Sequence, residues 1–60
     1  MPHRILVVDD EESTRSLLRD HLEGQGFRVI VAGNVRDGIR AFKERKPHCI
    51  IADFLLPPDN

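Results

Sequence analysis

Three short apolar runs, at residues 5–8, 29–32 and 49–52, divide the chain, and none alternates with polar residues. That pattern predicts strands covered on both faces, as in a parallel sheet. The first run (Ile5-Leu6-Val7-Val8) ends in Asp9-Asp10, and the third (Cys49-Ile50-Ile51-Ala52) ends in Asp53. Ligands of open parallel sheets sit in the crevice beyond the carboxyl ends of the strands, so both acid sites fall where chemistry is expected.

Between the runs the period changes. Asp9 to Glu12 predicts a loop and the first turn of a helix, where the positive end of the macrodipole offsets repulsion among four carboxylates. Thr14, Leu17, Leu18, His21 and Leu22 follow the i, i+3, i+4, i+7, i+8 spacing of one helix face, while Arg15, Arg19, Asp20 and Glu23 point elsewhere. Gly24-Gln25-Gly26 supplies the left-handed stop. A strand over 27–32 is broken by Gly33-Asn34, and Asn34 caps a second helix with Asp37 at its third position. Val35, Gly38, Ile39 and Phe42 form the apolar stripe of that helix. Arg45 and Lys46 suit its C-terminal turn, and Pro47 ends it.

The order is therefore β-α-β-α-β, an α/β class with a three-stranded parallel sheet of order 2-1-3. This order sets the ends of the first and third strands side by side and brings Asp9, Asp10 and Asp53 together. It also makes the third strand an apolar edge that recruits another strand, from a second copy in a homodimer.

Composition narrows the function. With 60 residues the chain is one small unit of marginal stability. Nine Lys and Arg against ten Asp and Glu leave no basic excess for direct nucleic-acid contact. No apolar run approaches the ~20 residues that span a bilayer, and no signal peptide is evident, so a cytoplasmic setting is expected. The single Cys49, inside an apolar run, is expected to be a buried, reduced core residue. His3, His21 and His48 lack metal-ligand spacing, and Glu11 and Glu12 read as solvated or capping residues. Gly24-Gln25-Gly26 follows a helix and is a turn. The loop after the first strand holds acids where a nucleotide enzyme needs glycines, which sets that class aside.

Ile5 to Glu11, the helix over 13–23 with Gly26-Phe27, and Ala52-Asp53 followed by Leu55-Leu56-Pro57 resemble the receiver domain of two-component response regulators. The resemblance covers the whole chain and the first half of a flavodoxin-like fold of five strands and five helices. It implies that residues 1–60 are an N-terminal half-domain without the fourth and fifth strands. It further implies that Asp53 accepts a phosphoryl group from a sensor histidine kinase or phosphotransfer protein. Mg²⁺ would be held by Asp10, Asp53 and the Leu55 carbonyl, with Asp9 acting through metal-bound water. Pro57 matches the proline of the following turn, Leu56 stands where methionine is common, and Asn60 precedes the position of a family glycine. The family's phosphate-contacting Ser or Thr and Lys, on the later strands, have no counterpart, which implies impaired switching. The module is expected to take phosphate and not to be an enzyme. The alternative is a self-associating half-flavodoxin-like assembly unit.

Overall fold

The computed structural model describes residues 3–52. The elements run β1 (Arg4–Val8), α1 (Glu12–Gly24), β2 (Arg28–Ala32), α2 (Val35–Arg45) and β3 (Cys49–Ala52). The sheet is parallel with order β2-β1-β3, as the sequence pattern predicts. Register sets Val8 beside both Ala32 and Ala52, so the three strands end level.

β1 is central and carries the core. Ile5, Leu6, Val7 and Val8 are all buried, and Leu6 and Val7 are fully so. Burial of each such side chain contributes about 1.5–3 kcal/mol. Alternation along β1 sends Leu6 and Val8 to one face, where they pack with Ala32, Ile30 and Ala41. α2 lies on that face and approaches closely at Gly38, where a Cβ would stand 3.1 Å from one Val8 methyl carbon. Ile5 and Val7 face the other layer, covered by α1, which contacts β1 and β2.

The helix ends follow local chemistry. Gly26, at φ 97°, turns the chain out of α1 while its N–H bonds the Glu23 carbonyl. Asn34 caps α2 by accepting from the Asp37 N–H at 2.8 Å. Lys46 closes the other end of α2 in the left-handed region, at φ 47°.

Three expectations are corrected. The stripe of α1 is narrower than its spacing suggests: Thr14, Leu18 and Leu22 are half-buried, but Leu17 is 72% exposed and His21 is exposed. Leu17 and His21 precede Leu18 and Leu22 by one residue, about 100° round the helix, and miss the sheet surface. Cys49 is exposed, not buried, because among the described residues β3 is an edge strand. Ile50 is likewise half exposed, so among the described residues β3 is not covered on both faces. Val35, Ile39 and Phe42 of α2 stay about half exposed and, with Leu6, Val8 and Ile50, line an apolar groove of about 290 Å³. Gly38 and Ala41 of α2 pack on the core.

Candidate functional site

The site is built where β1 ends. Just past β1, the Asp9 N–H donates to the Ala32 carbonyl at 3.1 Å. The residue is only 3% exposed, and Oδ1 accepts from the Glu11 N–H at 2.8 Å. An aspartate side chain bonded to the amide two residues on closes a small turn. Asp10 sits inside that turn with its own side chain exposed.

Arg15, in the first turns of α1, reaches back to this loop. Its Nη1 donates to the Asp9 carbonyl at 2.7 Å, and the same atom lies 3.1 Å from where a Gly33 Cβ would stand. The guanidinium therefore spans the loops that follow β1 and β2. Helical spacing assigns Arg15 to the polar face and says nothing of this reach. A long cation two turns after strand-end acids is the sequence signal that could have found it.

The structure thus brings Asp9 and Asp10 to the carboxyl-end rim, one buried and one exposed. Asp53 and Leu55 lie outside the described residues, as do Leu56, Pro57 and Asn60. Among the described residues no group of three or more His, Cys, Asp or Glu side chains could hold a metal ion. Two adjacent carboxylates do suit Mg²⁺, which takes hard oxygen ligands and keeps several waters, binding through one or two protein carboxylates.

The opposite rim holds a second cluster. Arg4 donates from Nε to the Arg45 carbonyl and from Nη2 to the Lys46 carbonyl, both at 3.0 Å. The Arg4 N–H donates to His48 Nδ1 at 3.0 Å, and the His48 N–H donates to the Arg4 carbonyl at 2.8 Å. His3 meets the His48 ring edge to face at 4.9 Å. This cluster fastens β1 to β3 and to the end of α2.

The response regulator receiver domain family matches residues 5–60. The chain belongs to that family. Its relatives include the alkaline phosphatase synthesis transcriptional regulatory protein PhoP of Bacillus subtilis, 42% identical over 57 residues, with 95% of this chain and 24% of the relative covered. The KDP operon transcriptional regulatory protein KdpE of Escherichia coli is 43% identical over 53 residues, covering 88% of this chain and 24% of the relative. The DNA-binding response regulator MtrA of Mycobacterium tuberculosis is 38% identical over all 60 residues and 26% of its own length is covered. The chain spans about a quarter of the length of these relatives.

Membership places residues 5–60 within a response regulator receiver domain. Its structure fits the flavodoxin-like half-domain expected from the strand pattern. The expectation that the chain is not an enzyme is corrected. What defines the class is phosphoryl-accepting signalling, in relatives named as transcriptional or DNA-binding regulators, and that is no basis for excluding catalysis. Among the described residues, no helix is long and apolar enough to cross a membrane.

Proposed function

We propose that Asp53 is the phosphoacceptor, with Mg²⁺ held by Asp10, Asp53 and the Leu55 carbonyl and with Asp9 acting through metal-bound water. The reading is supported above all by the register of β1 and β3. Val8 pairs with Ala52, and the next residues in sequence are Asp9 and Asp53. Two acids that follow level ends of neighbouring parallel strands are candidates to share one cation.

A carboxylate oxygen of Asp53 attacks the phosphorus of a phosphohistidine on a sensor histidine kinase or phosphotransfer protein. A P–O bond forms, the P–N bond breaks, and the imidazole leaves with the electron pair. Attack on an anionic electrophile depends mainly on positioning and charge neutralisation. Bound Mg²⁺ supplies that neutralisation. Asp9 contributes by fixing the Glu11 amide, and Asp10 by presenting an exposed carboxylate at the rim. Residues 1–60 would then be the N-terminal half of the domain, working in the cytoplasm.

Treatment with a small-molecule acyl phosphate and Mg²⁺, followed by peptide mass spectrometry, should find one phosphoryl group on Asp53, lost in Asp53→Asn. Label elsewhere, or none, rejects the assignment.

A second reading is a homodimer through β3. It is supported by the outer flank of β3, unpaired among the described residues, and by the adjoining apolar groove. Sedimentation across a range of concentrations tests it, and a monomer throughout ends it.

A further inference from the structure

We propose that Arg15 is a positioning residue for the metal site, fixing Asp10 through the backbone on either side of it. The inference rests on the magnesium reading above and goes beyond it by assigning a group that touches neither metal nor phosphate.

Asp10 is flanked by two peptide units, and each is tied. The unit before it contains the Asp9 carbonyl, which accepts from Arg15 Nη1 at 2.7 Å. The unit after it contains the Glu11 N–H, which donates to Asp9 Oδ1 at 2.8 Å. The Asp9 N–H is itself tied to Ala32 at 3.1 Å. With both peptide planes set, the direction of the Asp10 Cα–Cβ bond is set too, although its side chain is exposed and otherwise free to turn. An exposed carboxylate is thereby aimed without a bond of its own. A charge-assisted bond is shorter and stronger than a neutral one, which suits Arg15 to this task.

Gly33 completes the arrangement. A methyl group there would stand 3.1 Å from Nη1, 3.6 Å from Cζ and 3.9 Å from Nη2. The loop after β2 therefore leaves the guanidinium its place, and Gly33→Ala, acting from a different element, should push Nη1 aside by a few tenths of an ångström.

Sign separates this role from simpler ones. Removing a cation near two acids would, by Coulomb's law alone, tighten Mg²⁺ binding. A residue that only supports the fold would alter melting and leave affinity unchanged. A positioning residue must weaken binding when removed.

The experiment is an NMR titration with MgCl₂, read at the Asp10 and Glu11 amides, on the protein and on Arg15→Ala, Arg15→Lys and Gly33→Ala. Amide exchange is measured on the same samples without metal. Arg15→Ala is expected to raise the Mg²⁺ dissociation constant about 10-fold, the scale for outer-shell partners of metal ligands. Gly33→Ala should act in the same direction, and Arg15→Lys should lie between Arg15→Ala and the parent. Without metal, the Glu11 amide should exchange severalfold faster in Arg15→Ala, while Leu6 and Val7 keep their protection. Unchanged or tighter Mg²⁺ binding in Arg15→Ala overturns the assignment alone. A parent protein that shows no Mg²⁺ response overturns the metal reading and this inference together. Should Arg15→Ala not fold, Gly33→Ala and Arg15→Lys decide by the same signs.

Discussion

The Cβ that Gly38 lacks would lie 3.1 and 3.2 Å from the two methyl carbons of Val8, so α2 rests on β1 at the one point where it has no side chain. In an open helix, glycine to alanine gains about 1 kcal/mol. Here the facing residue is buried and β-branched, with little freedom to turn aside. Gly38→Ala is expected to lower stability by about 1 kcal/mol, since overpacking typically costs 1–3 kcal/mol. The penalty should vanish in a Val8→Ala background. A urea-denaturation double-mutant cycle measures both, and a more stable single variant would show that the helix simply shifts.

Asn34 supplies the side-chain cap of α2. Asn34→Ala should cost about 1 kcal/mol, and Asn34→Ser should keep most of the bond to the Asp37 N–H. Thermal unfolding followed by circular dichroism distinguishes them. Equal midpoints for the alanine and serine variants would mean that the cap contributes nothing.

Lys46 holds a left-handed conformation that L-residues adopt at a cost of roughly 1–2 kcal/mol. Glycine removes that strain but frees the unfolded chain and deletes a cation near the helix end. The balance favours Lys46→Gly by about 0.5 kcal/mol. A lower denaturation midpoint would contradict the balance. The bond from the Lys46 N–H to the Phe42 carbonyl is kept in the variant.

Arg4 and His48 join three elements through exposed hydrogen bonds, so each bond is worth little, about 0.5–1 kcal/mol. Arg4→Met should keep the apolar stem and lose both carbonyl bonds, destabilising by about 1 kcal/mol. Faster exchange of amides near the end of α2 should accompany it. Unchanged exchange there would mean that the guanidinium does not hold the helix end.

How much of this was legible in the chain varies with the physics involved. The run at 5–8 announced a covered central strand, and it is the buried heart of the sheet. Asn34 and Gly26 were readable as cap and stop because those roles depend on a residue's own backbone and side chain. Cys49 was misread because an apolar run reports what a strand would accept as neighbours, not which neighbours the topology supplies. Leu17 was misread because helical spacing permits a wide stripe where the sheet beneath touches a narrow one. Gly38 was placed on the correct face, but its meaning, close approach to Val8, appears only in the packing. Asp9 and Asp10 stood out as strand-end acids. The bonds from Arg15 and to Glu11 did not, since both depend on a loop conformation that no periodicity encodes.

The fastening by Arg4 and His48 lies at the end of the sheet away from Asp9. Five residue steps separate Arg4 from Asp9, about 16 Å at ordinary strand rise. That exceeds the roughly 8–10 Å over which charges influence one another through saline solution. Altering the cations at the tied end should therefore leave the exposed Asp10 electrically undisturbed. The molecule keeps its seam and its chemistry out of each other's hearing.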